Sequence, residues 1–174
     1  MNEILPLDRF LATLEVVARE GRHLVFSRNR LFAEEIDAAW VEALSEKPEL
    51  AERLEAFVSR YGRMQDTMAD KLLPRWLLAL AERSGSQIEV LSRAERLGVL
   101  ESSEDWLVAR NLRNRLVHEY MTDAGEFARN VLLAAEYSGM LIDTYNRLRS
   151  DAMDRLQVPQ ARLPEALVLE VDKS

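Results

Sequence analysis

Eight consecutive residues, Arg113-Asn114-Arg115-Leu116-Val117-His118-Glu119-Tyr120, bring together an arginine, an amide, one of the chain's two histidines and a tyrosine. These types can hold a phosphate and move a proton beside it. An imidazole titrates near neutral pH, so His118 can take a proton as a base or return one as an acid. A guanidinium holds a phosphate through two parallel hydrogen bonds and stabilises the charge that builds on it in a transition state, a role open to Arg113. Asn114 can orient the phosphate or the histidine. Each residue also has a plainer use. His118 can cap a helix C-terminus, where its positive form is favoured. Arg113 can be a structural ion pair with a carboxylate of an upstream helix, and Tyr120 can be core.

A helix must position these groups. At about 100° per residue, Trp106, Ala109, Leu112, Leu116, Val117 and Tyr120 fall on one apolar stripe, and Arg113 lies inside it. A charge on a core-facing stripe needs a partner or an interface, because an unpaired buried charge is costly. Arg113 and His118 point about 140° apart around a straight helix. Two copies packed about a two-fold axis would bring both residues of both chains around one cleft.

The rest of the chain reads as helices too. Asp8 is a candidate cap for a first helix running to about Arg28, with Leu7, Phe10, Leu14 and Val17 on one face and Gly21 weakening its second half. Ile36 to about Leu44 reads as a short second helix. Pro48 suits the first turn of a long third helix carrying Leu50, Leu54, Phe57, Val58 and Tyr61. Pro74 should kink or divide it before Trp76. Ser84-Gly85-Ser86 is a break. A helix from about Gln87 to Leu97 is closed by Gly98, and Ser102 or Ser103 caps the helix that carries the eight residues. Glu104 and Asp105 are favourable in its first turn. Thr122-Asp123-Ala124-Gly125 separates it from a last helix, about 126–156. The expectation is an all-α, antiparallel up-and-down bundle over residues 1–156 with a tail or arm over 157–174.

Composition sets limits. The chain has 174 residues, 48% of them hydrophobic, which suits one domain with a real core. No run of 18 or more apolar residues suggests a membrane span, and the N-terminus lacks the basic-then-apolar order of a secretory signal. The absence of cysteine excludes disulfides and thiolate metal sites, and agrees with a cytoplasmic setting. A zinc site is disfavoured with two histidines and no cysteine, and no cofactor is expected. His23, without a partner motif, reads as structural or surface. The net charge of −7 argues against general affinity for nucleic acid, so an enzyme acting there needs a local basic groove. Arg110, Arg113 and Arg115 can supply one, with Arg110 a candidate nucleic-acid contact, though three arginines on one helix more often form an ordinary solvated face.

The Arg-x4-His-x-Tyr spacing of Arg113, His118 and Tyr120, with Asn114 directly after the arginine, resembles the signature of HEPN-domain proteins, in particular HepT toxins and related nucleotidyltransferase-associated proteins. Arg60 to Asp66, Lys71-Leu72-Leu73 and Ala94 to Leu100 also resemble that family, so the likeness spans roughly Leu7 to Leu156. It implies a homodimer with a composite cleft and metal-independent RNA cleavage in which Arg113, Asn114 and His118 are catalytic. Attack by the ribose 2′-hydroxyl would leave a 2′,3′-cyclic phosphate and spare DNA. It also implies a nucleotidyltransferase-like antitoxin that adds AMP to Tyr120. Two other classes remain open: a non-catalytic substrate-binding partner of a small nucleotidyltransferase, and a helical homodimer in which the motif only specifies the interface.

Overall fold

The computed structural model describes residues 4–118 and 123–169, with His118 described by its place in a helix only. Among these residues every regular element is helical. The α-helices are α1 (Pro6–Leu31), α2 (Ala38–Glu42), α3 (Pro48–Thr67), α4 (Leu73–Ala79), α5 (Gln87–Arg96), α6 (Ser103–His118) and α7 (Ala124–Asp154). No helix among them is long and apolar enough to cross a membrane.

Local chemistry explains most boundaries. Asp8 does not cap α1; the helix starts at Pro6, with Leu5 before it making no side-chain cap, and Asp8 sits in the first turn. Proline fits there because its missing N–H would be unpaired anyway. The second helix begins later than its apolar pattern suggests, because the Asp37 carboxylate accepts the Trp40 backbone N–H at 2.8 Å. It is α-helical to Glu42 and continues as a 3₁₀ turn over Ala43–Glu46. Ser102 is the cap of α6, its hydroxyl accepting the Asp105 N–H at 3.1 Å. Asp123 caps α7 through the N–H groups of Gly125 and Glu126, so this helix begins two residues before the expected start.

Pro74 divides the third helix upstream of itself. Met68–Leu72 widens into a π turn, in which the Leu73 N–H reaches back to the Met68 carbonyl. Proline offers no N–H and its ring crowds the carbonyl four residues before it, so a wider turn accommodates it. The break that follows starts at Leu80, earlier than the Ser84-Gly85-Ser86 signal. Ala81 adopts φ +62° there, and the Glu82 N–H closes on the Leu77 carbonyl at 2.9 Å.

α1 is antiparallel both to the α3–α4 layer and to α7, so α3 and α7 point the same way. As the residue number rises along α3 and α4 it falls along α1. Arg53 faces Glu34, Phe57 meets Phe32 with ring centres 5.3 Å apart, Arg60 donates to the Ser27 hydroxyl, Thr67 to Glu20 and Arg75 to the Thr13 hydroxyl. α7 runs antiparallel to α1, with the Arg28 Nε donating to the Ala135 carbonyl at 3.3 Å. Phe10, Leu14, Leu54 and Phe57 are fully buried between these helices, each stabilising the fold by about 1.5–3 kcal/mol. Gly21 does not interrupt α1; it is buried against Leu167 of the tail.

That tail is ordered over its described part. After α7 the chain reverses at Gln157, which has φ +54°, and makes a 3₁₀ turn over Gln160–Arg162. It then returns extended along α7, with Leu163 and Leu167 buried in the core.

Asp151 of α7 is a buried carboxylate, 8% exposed, accepting the Trp76 indole N–H at 2.7 Å and pairing with Arg155 at 2.8 Å. Burial pushes its carboxyl above the ordinary range, against the Trp76 bond and the Arg155 charge, which pull it down. The folded state thus binds this proton more tightly than the unfolded chain does. Its contribution to stability is greatest in acid and falls as pH rises from the ordinary value of 3.8 through the raised one. Asp151→Asn, which keeps an acceptor for Trp76, should flatten that part of the pH profile. Asp151→Ala should cost about 1–3 kcal/mol at pH 7 by orphaning the indole N–H. Urea unfolding of both variants between pH 4 and pH 7 checks this.

Candidate functional site

The site is built by one turn of α3 acting on α6. Tyr61 donates its hydroxyl hydrogen to the Ala109 carbonyl at 3.0 Å, and Gln65 donates its amide to the Trp106 carbonyl at 3.2 Å; all of this is buried. These two side chains, one helical turn apart, fix how far along α3 the α6 helix sits. Burial pushes the Tyr61 phenol well above its ordinary value, so it stays a donor.

Between and beside them, Gly62 and Asp66 receive Arg113. A Cβ added to Gly62 would stand 2.5 Å from the Arg113 Nε, so the guanidinium stem crosses α3 where there is no side chain. Arg113 Nη2 then reaches the Asp66 carboxylate at 3.3 Å, and Nη1 the Asn114 side-chain oxygen at 3.4 Å. The Arg113 side chain is one-third exposed and Asp66 nearly half, so this is a partly wet ion pair that contributes at most about 1 kcal/mol. The apolar stripe is therefore real at Trp106, Ala109, Leu112 and Leu116, which are buried, and Arg113 is paired at its edge. Val117, assigned to the same stripe, is 52% exposed.

The guanidinium borders a groove of about 630 Å³ between α3 and α6. Its apolar lining comes from Leu54, Val58, Leu116, Val117 and Phe127, and its polar lining from Glu55, Ser59, Arg63, Asp66 and Thr67 beside Arg113. Thr67 leaves its hydroxyl on Glu20 at 3.0 Å, and burial raises the Glu20 carboxyl despite that bond.

The expected site residues are distributed as follows. Arg113 lines the groove and Asn114, exposed, holds its guanidinium. Arg110 turns the other way, donating to the Gln87 side chain on α5, and does not line the groove. Arg115 is exposed. His118 is the last described residue of α6, and Tyr120 lies outside the described residues. His23 is exposed, its carbonyl accepting from Arg60. Arg63, Ser59 and Thr67 were not singled out from sequence as site residues. Their signal is a repeat of polar residues four apart along α3, which also fits an ordinary solvent-facing ridge.

No family model, curated protein sequence or solved structure matches the chain.

Two substitutions separate the clamp from the cradle. Tyr61→Phe should destabilise by about 1 kcal/mol in chemical unfolding, since one buried hydrogen bond is lost while the Ala109 carbonyl keeps its helical partner. Gly62→Ala should leave the fold intact, because the atoms it meets belong to a flexible side chain and alanine favours a helix by about 1 kcal/mol over glycine. It should push Arg113 off Asp66, read as a shift of the Arg113 Nε–H resonance in an NMR spectrum. An unshifted resonance would show that the guanidinium does not lie across Gly62 in solution.

Proposed function

We propose that the protein is a metal-independent endoribonuclease of the HEPN type, resembling HepT toxins, that works as a two-fold dimer. The observation that supports this most is the placement of Arg113. Its guanidinium borders a groove large enough for a nucleotide, is held by a half-exposed carboxylate and a long contact to the Asn114 side chain, and lies on the helix that carries His118. A phosphate can displace Asp66 from Arg113 at small cost, since the pair is weak and a bidentate arginine–phosphate contact is stronger. Arg63 supplies a second positive group on the same groove, where the two arginines face the carboxylates of Glu55 and Asp66.

In this reading Arg113 holds the scissile phosphate and Asn114 keeps the guanidinium oriented. An imidazole of His118 takes the proton of the 2′-hydroxyl as that oxygen bonds to phosphorus. The bond from phosphorus to the 5′-oxygen breaks, and the leaving oxygen takes a proton from an imidazolium, His118 of the second copy being the available donor. The products are a 2′,3′-cyclic phosphate and a free 5′-hydroxyl. The net charge of −7 confines binding to this local groove. A nucleotidyltransferase partner that adds AMP to Tyr120 would place a bulky anion two residues beyond His118 and block RNA by repulsion and sterics.

A second reading, a non-catalytic binding partner of a small nucleotidyltransferase, is favoured by the Asp66 pair, which already satisfies Arg113. One experiment distinguishes them. Purified protein should cleave single-stranded RNA in EDTA and leave 2′,3′-cyclic ends. His118→Ala should lose on the order of 10²-fold or more, and Arg113→Ala should lose activity while circular dichroism stays unchanged. If both variants cleave like the parent, the cleavage is a contaminant and the binding-partner reading stands.

A further inference from the structure

The returning C-terminal segment is held as a peptide is held by a receptor. Three side chains of α7 read its main chain. The Tyr145 hydroxyl donates to the Glu165 carbonyl at 2.8 Å, and the Arg149 Nε to the Pro164 carbonyl at 2.6 Å. Asn146 makes a two-way contact with Leu167, donating to its carbonyl and accepting from its N–H, both at 2.9 Å. Burial places the Tyr145 phenol at about 12, so the donor keeps its proton at any physiological pH. The anchors are apolar. Leu163 and Leu167 are buried, while the neighbouring Val168 is 71% exposed. Leu167 sits over Gly21 of α1, where a Cβ would collide with it, so the hole is shaped by the absence of a side chain. Among the described residues, the main-chain contacts to α7 thus fall within segment 163–169, beside buried Val158 and the Arg162–Asp8 pair.

The turn that delivers the segment is under strain. α7 ends with the Val158 N–H closing on the Ala152 carbonyl at 3.0 Å, a closure that places Gln157 at φ +54°. Glycine is the usual residue at such a position, and a side chain there costs stability. A short strained hinge beside a self-sufficient docking segment is the arrangement that favours exchange between copies, because opening the hinge relieves the strain while every docking contact is re-formed.

We propose that the α1–α7 groove also takes the C-terminal segment of a second copy of this chain, so that residues 158–169 exchange between protomers through a hinge at Gln157. The partner is chosen by the groove's chemistry. It reads a main chain flanked by leucines four apart, and a second copy presents that segment with the same hinge. This inference does not depend on the ribonuclease reading.

The chain has no cysteine, which makes a clean test possible. Leu169 approaches Gly139 of α7, its Cδ1 lying 3.6 Å from a Cβ placed there. Full-length chains carrying Gly139→Cys and Leu169→Cys are prepared unlabelled and ¹⁵N-labelled, mixed, incubated at high concentration and joined with a short thiol-specific cross-linker. Exchange gives cross-linked peptide pairs of mixed isotope composition, in a share that rises with protein concentration. Adding Gln157→Gly, which relaxes the closed turn, should lower that share about five-fold. Pairs of uniform isotope composition alone would show that the segment docks only on its own chain and would overturn the proposal. Absence of any 139–169 pair would overturn it as well, since the segment would then not occupy the groove. Loss of RNA cleavage, or none to begin with, changes neither outcome.

Discussion

Everything at the candidate site depends on two buried hydrogen bonds from α3 to the backbone of α6. Helix–helix packing through apolar side chains alone tolerates small slides, because leucines and alanines re-pack at low cost. Tyr61 and Gln65 remove that freedom by meeting particular carbonyls, those of Ala109 and Trp106. With α6 fixed in that register, Arg113 arrives over Gly62 and within reach of Asp66. A slide by one turn would bring the guanidinium against a neighbouring side chain of α3 and bury a charge without its carboxylate. Specificity of placement therefore comes from polar groups within the core, and affinity from the apolar surface around them.

The same α3 helix faces in two directions. Toward α1 it presents Phe57 and the ladder that ends at Thr67 with Glu20; toward α6 it presents Tyr61, Gln65 and Asp66. The π turn at Met68–Leu72 lets α4 continue the antiparallel packing on α1, where Arg75 meets Thr13. Proline at 74 thus changes the geometry without ending the layer. The groove beside Arg113 lies alongside the unbroken part of α3.

Much of the outline was legible from local signals, because their causes are local. Ser102, Gly98 and Pro48 act within one turn of themselves, and each lies at a real helix boundary. Asp8 misled for the same reason: a good capping residue lost to the proline two positions earlier. Periodicity located Arg113 on the apolar stripe and so required a partner for it, but nothing local could say that the partner is Asp66, forty-seven residues upstream. Arg110 was expected to share a basic groove with Arg113, and the nearness of Gln87 turns it toward α5 instead. The tail was opaque for a related reason. Its two prolines and short apolar run carry no period, and its order comes from Tyr145, Asn146 and Arg149 on a helix whose own pattern gives no hint of a guest.

The pairing of Trp76 with Asp151 carries a spectroscopic consequence. Indole emission responds to charge close to the ring, and Trp76 donates its N–H directly to a carboxylate whose protonation burial favours. The indole nitrogens of Trp40 and Trp106 are buried without a partner among the described residues. Protonating Asp151 therefore changes the group to which Trp76 donates, a contact that the indole nitrogens of Trp40 and Trp106 do not have among the described residues. Trp76 is thus the residue whose emission should follow the proton on α7, with no added dye.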